Sequence, residues 1–378
     1  MDAKRRLAVG TMTGTSLDGL DVAAVELAGR GLGMRATAVA HRSFPLALSA
    51  RLREACEGKA ATAGEFAGLA RDFGLAHVAA IRATVGDGRP DLIAIHGQTV
   101  FHRPPVSWQL VNPFPVAEAF GCPVASDLRG ADLAAGGQGA PITPLSDWVL
   151  FRGPVPRAIV NLGGFCNVTV LPEASRPDAL AAIGGFDACA CNQVLDAAAR
   201  AVLGKPFDAD GATAAAGRAD PDATASLRER LDRQRAERRS LGTGDEAAAW
   251  VAGHASRLAP ADLLASAVAA VGGSIGAAVG EGLARLGRDA ACEVLLAGGG
   301  ARNRALVATI ASTSGFAART TADLGIPIEA REAMGMAILG ALALDGVATT
   351  LPQVTGRGAS GVADALWCLP RSSVGRFA

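Results

Sequence analysis

Residues Gly10-Thr11-Met12-Thr13-Gly14-Thr15-Ser16-Leu17-Asp18-Gly19-Leu20-Asp21 crowd glycines, hydroxyls and carboxylates between two strand-like segments. Leu7-Ala8-Val9 runs in and Val22-Ala23-Ala24-Val25-Glu26-Leu27 runs out, so the pair reads as a hairpin whose turn presents main-chain N–H groups and hydroxyls. An ordinary hairpin needs only two turn residues. The stretch alone supports a Gly-rich β-turn and a polyphosphate cradle equally.

Half of the 378 residues are hydrophobic, enough for a sizeable core, and the length favours two domains. Thirty-six basic residues balance thirty-six acidic ones, so no net field draws nucleic acid or an anionic membrane. Only Leu7-Ala8-Val9 separates the charged Met1–Arg6 from the Gly/Thr cluster, too short for a signal-peptide core; the expectation is a cytoplasmic chain. Leu258 to Val279 is the nearest approach to a membrane span, and Asp262, Ser266 and several glycines interrupt it. Seven irregularly spaced cysteines (Cys56, Cys122, Cys166, Cys189, Cys191, Cys292, Cys368) match neither a disulfide framework nor zinc knuckles.

Segments 7–11, 21–28 and 34–42 read as an antiparallel meander. Phe66, Leu69, Phe73, His77, Ala80, Ile81 and Thr84 recur at helical steps, which makes an amphipathic helix. Strands 91–95 and 122–126 then end at His96-Gly97-Gln98-Thr99 and Asp127-Leu128-Arg129, where α/β proteins place ligands. After the Gly/Pro-rich stretch 136–144 the pattern restarts: strands 158–162 and 167–171 flank Gly163-Gly164, Leu180-Ala181-Ala182-Ile183 gives a third strand, and a helix carries Val194, Leu195, Ala198 and Val202. This argues for a duplicated α/β unit. Leu264 to Val279 traces a core helix with Gly272 and Gly273 for close packing, followed by strand 293–297. The charged run 217–240 reads as a solvated helix or flap, with phosphate clamping a lesser alternative. The domains expected are 1–135 with 352–378, and 136–351 with the polar insertion near 217–240.

A second Gly-rich turn, Asn161-Leu162-Gly163-Gly164, takes the place in the second unit that residues 10–19 take in the first, and a third, Gly298-Gly299-Gly300-Ala301-Arg302-Asn303, follows a buried strand. In this order the three turns resemble the two-domain actin and hexokinase type of ATPase, a duplicated ribonuclease H-like α/β fold with an interdomain cleft. The chain further resembles the anhydro-N-acetylmuramic acid kinase family over almost its whole length. The marks are Gly14 to Asp21, His96-Gly97-Gln98-Thr99, Asp127-Leu128-Arg129 with Asp132, Gly136-Gly137-Gln138-Gly139-Ala140-Pro141, and the turns at 161–164 and 298–303.

That resemblance implies an enzyme of bacterial cell-wall recycling: water opens a 1,6-anhydro bridge while the released O6 takes the γ-phosphoryl of ATP, with Mg²⁺, giving N-acetylmuramic acid 6-phosphate. It implies ATP contacts from Thr13, Gly14, Thr15, Ser16, Leu17, Asp18, Gly19, Leu20, Asn161, Gly163, Gly164, Gly298, Gly299, Gly300 and Asn303. Sugar contacts fall to His96, Gln98, Asp127, Arg129 and Asp132, and the partner it implies is a second copy, a homodimer. The catalytic base the resemblance implies is Asp187, from a family segment Phe-Asp-Thr-Gly-Pro-Gly-Asn that here reads Phe186-Asp187-Ala188-Cys189-Ala190-Cys191-Asn192. Asp187 and Asn192 keep their spacing; both glycines and the proline are replaced. Ser240-Leu241-Gly242-Thr243-Gly244-Asp245-Glu246 is a second departure, from a Ser-Thr-Gly-Arg-Glu-like segment.

Duller readings stand beside these. His96 caps main-chain carbonyls or contacts sugar; Asp127 and Arg129 pair with each other or orient sugar hydroxyls and a lactyl carboxylate. Asp18 makes an Asx-turn or orients Mg²⁺ hydration. Cys189-Ala190-Cys191 lacks further ligands for a protein-bound metal. The rival functions are a kinase acting on a free hydroxyl of another sugar and an ATP-binding regulatory module without turnover.

Overall fold

Short apolar runs bounded by glycine and polar residues become strands, and the strands assemble into two frameworks of the same order. The computed structural model describes residues 5–14, 17, 19–237, 241, 247–287 and 291–370. Its strands are β1 (Arg5–Met12), β2 (Gly19–Ala28), β3 (Arg35–Pro45), β4 (Leu92–Ile95), β5 (Gln98–Arg103), β6 (Val106–Leu110), β7 (Val124–Ser126), β8 (Arg157–Leu162), β9 (Phe165–Leu171), β10 (Gly184–Ala190), β11 (Glu293–Ala297), β12 (Ala318–Thr320) and β13 (Leu366–Cys368). One sheet runs β13-β7-β4-β1-β2-β3 and another β10-β9-β8-β11-β12; β5 and β6 form a separate hairpin.

In the first sheet β1, β2 and β3 are an antiparallel meander, and β4 and β7 extend it in parallel from β1. In the second, β8, β9 and β10 are the meander, and β11 and β12 extend it in parallel from β8. The strand order third, second, first, fourth, fifth therefore occurs twice. This is a duplicated ribonuclease H-like α/β fold, the framework of actin-like ATPases.

The chain divides into two compact units, Met1–Phe151 with Ala330–Ala378, and Arg152–Glu329. The first unit thus takes in residues 136–151 and 330–351, which the sequence reading gave to the second. The reason is packing. Along β1, β4 and β7, Val9, Ile93 and Val124 form one lateral row and Gly10, Ala94 and Ala125 the next, so the rows face opposite sides of the sheet. The branched row packs with Ala80 and Ile81 of helix Ala63–Val85. The small row admits helix Arg331–Leu344 closely: a Cβ on Gly10 would overlap Ala333 O and Ala337 N, and one on Gly340 would lie 2.7 Å from Ala94 Cβ. The tail returns to this unit as β13, antiparallel to β7.

The second unit is built around helix Pro260–Ala284, whose Gly272 and Gly276 let helix Arg304–Ser314 approach; added Cβ atoms would lie 2.7 Å from Thr309 Cβ and 2.9 Å from Ile310 O. Among the described residues it is the one helix long and apolar enough to cross a membrane, a length the sequence reading did not assign to any stretch. Its most apolar window is 78% buried, as befits a helix apolar on all sides inside a core.

One local expectation is corrected, and for the charged run the helix alternative holds. Ala179–Ala182 is a short helix, and the third strand of the second meander is Gly184–Ala190. The charged run folds as helix Pro221–Ala236, N-capped by Asp220 through Ala223 N (2.8 Å), and it buries Ala223, Leu227, Leu231 and Gln234. Those apolar residues recur at four-residue steps, enough to seat a helix whose other faces are charged. Residues 238–240 lie outside the described part.

Candidate active site

In the first unit the β1–β2 turn is pinned from below. Leu17 has a left-handed backbone (φ 57°), its N–H donates to Gly14 O at 3.1 Å, and its side chain enters the apolar cluster of Leu46, Leu52, Leu69, Phe73 and Leu110. Leu20 is likewise core, beside Val9 and Val22. Of these two residues of the cradle, only the main chain is left to meet a ligand. Thr13 is different: it is 4% exposed, and its Oγ1 is buried with no hydrogen-bond partner. A buried hydroxyl left unsatisfied is destabilising by about 1–3 kcal/mol, so this one marks the polar side of the turn. Thr15, Ser16 and Asp18 lie outside the described residues.

At the carboxyl end of β4, His96 donates from Nδ1 to Gly97 O (2.7 Å), which leaves Nε2 to accept from Arg129 NH2 at 3.1 Å. Burial, and then the Arg129 charge, push this imidazole down to about 3, so it is neutral at ordinary pH. Arg129 NH1 donates to Gly139 O at 2.9 Å, and the Gln109 amide accepts from Arg129 Nε at 3.0 Å while donating to His96 O at 3.0 Å. Arg129 and Asp127 do not pair through their side chains; Asp127, at φ 47°, accepts from Gly130 N (3.0 Å) and holds the turn ahead of residues 130–134. Gln98 is 5% exposed, with Nε2 on Thr99 O (3.5 Å) and Oε1 unpartnered.

Asp132 faces inward. It is 1% exposed, with Oδ1 accepting from Gly139 N (2.7 Å) and Oδ2 from Thr355 Oγ1 (2.6 Å). Gln138 N on Thr355 O (2.9 Å) and Gly358 N on Ala135 O (2.8 Å) complete a seam between the Gly136–Gly139 loop and the tail. Asp132 thus shapes the loop that receives Arg129.

The second unit brings the other two turns together. Cys191 N and Gln193 N donate to Gly164 O (2.9 and 3.1 Å), Asn192 N donates to Gly163 O (3.0 Å), and Asn192 Nδ2 donates to Leu162 O (3.1 Å). Gly298, at φ 80°, and Gly300 lie against Leu162: a Cβ on either would come within 2.8 Å of it. Gly299 is exposed, with open space where a Cβ would stand. Asn303 is the N-cap of helix 304–314, its Oδ1 accepting from Leu306 N at 3.0 Å, and so supports the turn from behind.

Asp187 lies in a lateral row with Asn167 and Asn161, one residue on each of β10, β9 and β8, sharing one face beside the Gly163–Gly164 turn. Its Oδ2 accepts from Leu241 N at 2.9 Å. A β-bulge between Asp187 and Cys189 re-aims this strand. Cys189 and Cys191 are fully buried and burial raises both thiols, Cys189 to about 12, so they are core residues; no cluster of metal-ligating side chains occurs among the described residues. Position 190, proline in the family segment, is an alanine whose N–H reaches Gln234 Oε1 at 3.1 Å. Residues 240 and 242–246 of the second departure lie outside the described part.

Sequence reasoning omitted Asn167 and Gln109. Asn167 mirrors Asn161 across a hairpin, a pairing legible from turn length; Gln109 sits in β6, and no spacing ties it to His96.

A duplicated ribonuclease H-like fold with glycine-rich turns after its central strands, and an aspartate and two asparagines in one row beside them, has the architecture of the actin-like ATPase class. The chain belongs to the anhydro-N-acetylmuramic acid kinase family, whose model matches residues 6–367. The relative from Bordetella pertussis is 36% identical, covering 96% of each chain, and that from Salinibacter ruber is 35% identical, covering 94% of each. Both bear the family name. Among solved structures, a ROK family glucokinase from Streptomyces griseus in complex with glucose and AMPPNP aligns at 15% identity and TM-score 0.40, covering 88% of this chain and 99% of that one.

Proposed function

We propose that this protein is an ATP-dependent kinase that hydrolytically opens 1,6-anhydro-N-acetylmuramic acid and phosphorylates O6, yielding N-acetylmuramic acid 6-phosphate and ADP in cell-wall recycling. The observation that carries the reading is the Asp187 carboxylate, oriented by Leu241 N at 2.9 Å in a row with Asn167 and Asn161.

Asp187 is the base. It takes a proton from the water that attacks C1; the C1–O6 bond breaks, and O6 forms its new bond to the γ-phosphorus as the bond to the leaving ADP oxygen breaks. Thr13 Oγ1, Asn161 and the turns Gly163-Gly164 and Gly298-Gly299-Gly300 are the phosphate contacts of this reading. Mg²⁺, when bound, would neutralise phosphate charge, and Asp18 would orient its hydration shell. His96, Gln98, Asp127 and Arg129 take the sugar, the guanidinium matching the lactyl carboxylate. Asn303 and Asp132 act from behind. The enzyme works in the cytoplasm as a homodimer.

The test is ADP release with the anhydro-sugar, with and without Mg²⁺, in ¹⁸O water. Label at C1 supports hydrolytic opening. Product from another sugar at a free hydroxyl, or no ADP from any anhydro-sugar, overturns it.

A further inference from the structure

Among the described residues, the strand that carries Asp187 is the last of its sheet, with β9 on one side only. Successive N–H groups of such a strand alternate between the neighbour and the open edge. Cys191 N turns inward to Gly164 O at 2.9 Å, and Ala190 N turns outward, where an unpaired donor would be buried at a cost comparable to a lost hydrogen bond. Gln234, 7% exposed on helix 221–236, accepts that N–H with Oε1 at 3.1 Å.

The helix that carries Gln234 is itself held. Asp232 accepts from Ser274 Oγ (2.7 Å) and Arg228 Nε (3.0 Å), Arg235 NH1 donates to Ser274 O (3.1 Å), and Leu227 and Leu231 are in the core. Gln234 thus grips one end of the bulged segment, while Leu241 N, shortly after the same helix, holds the Asp187 carboxylate at 2.9 Å.

We propose that Gln234 is a positioning residue for Asp187: by accepting the outward N–H of Ala190 it fixes the bulged end of β10, and so the place from which the carboxylate meets water. The inference rests on Asp187 being the base. A carboxylate displaced by about 1 Å loses up to ~100-fold in rate without any change in nucleotide contacts.

The experiment compares Gln234→Met, which keeps the volume and removes the acceptor, with Gln234→Glu, which keeps the acceptor, and runs Asp187→Asn alongside. The expected result is a kcat about tenfold or more lower for Gln234→Met with KM for ATP unchanged, and recovery in Gln234→Glu. Leu231→Ala, a core variant of the same helix, controls for stability. Wild-type kcat in Gln234→Met with an inactive Asp187→Asn overturns the inference, as does a kcat loss equal to that of Leu231→Ala at equal loss of Tm. Turnover by Asp187→Asn overturns the base assignment itself and is thereby distinguished. Should Gln234→Met not fold, amide exchange at Ala190 in the wild-type protein reads the contact: slow exchange supports it and unprotected exchange overturns it.

Discussion

Asp147 and Arg331 form a bidentate ion pair with both side chains 1% exposed, Nε to Oδ1 at 2.8 Å and NH2 to Oδ2. Asp147 lies just before the chain leaves the first unit at Phe151, and Arg331 just after it returns at Ala330, so one pair ties both ends of that excursion within the unit. Breaking a buried pair strands a charge. Asp147→Leu is therefore expected to lower unfolding free energy by roughly 3–5 kcal/mol in urea melts, and the double variant Asp147→Leu, Arg331→Met to recover most of it. Equal losses for the single and double variants would contradict this.

Acidification provides a second handle. His77, edge-on to Phe73 and donating from Nδ1 to Phe73 O at 2.8 Å, is pushed down to about 4 by burial, as His96 is to about 3. Both are depressed below the ordinary 6.5 of an unfolded chain, so the unfolded state binds more protons between 6.5 and the folded values. Stability is therefore full above pH 6.5 and falls as pH drops toward 4, by on the order of 3 kcal/mol for His77. Urea midpoints at pH 7 and 4.5 measure it. His77→Phe should flatten the slope, and an unchanged slope would remove His77 as its source.

Arg129 is expected to resist conservative replacement. Lysine cannot donate at once to Gly139 O, His96 Nε2 and the Gln109 amide, whose partners on Arg129 are three different nitrogens. With charge-assisted bonds at about 1.5–3 kcal/mol, Arg129→Lys should raise KM for the anhydro-sugar roughly ten- to a hundredfold and leave KM for ATP unchanged. Steady-state kinetics in each substrate separates the two.

Much of this was legible in the sequence where pattern and environment agree. The meander of β1 to β3 and the 264–279 part of the core helix follow from apolar periodicity, and the tight 161–164 turn from its glycines. Leu180-Ala181-Ala182-Ile183 misled because a short apolar run fits helix and strand alike, and Gly184-Gly185 concealed where β10 begins. In 221–236 the charges hid Ala223, Leu227 and Leu231, and with them Gln234. Leu17 and Asp132 have the composition of a site, yet their side chains point into the protein, a direction fixed by tertiary packing that residue type does not reveal.

The third glycine turn offers the sharpest contrast between fold and function. Gly298 combines φ 80° with Leu162 main-chain atoms 2.8–3.1 Å from any added Cβ, and Gly300 has Leu162 Cβ at 2.8 Å and Asn192 Oδ1 at 3.0 Å. Rigid main chain cannot yield there, so Gly298→Ala and Gly300→Ala push the turn off the Gly163–Gly164 hairpin. Each is expected to destabilise by about 1–3 kcal/mol and to weaken ATP binding with it. Gly299 has open space at the same distance, so Gly299→Ala should fold as the wild type does. If the turn's outer edge meets nucleotide, Gly299→Ala alone separates binding from stability: unchanged Tm with a raised Kd for ATP, read by calorimetry. Wild-type affinity in Gly299→Ala would confine the turn to a packing role.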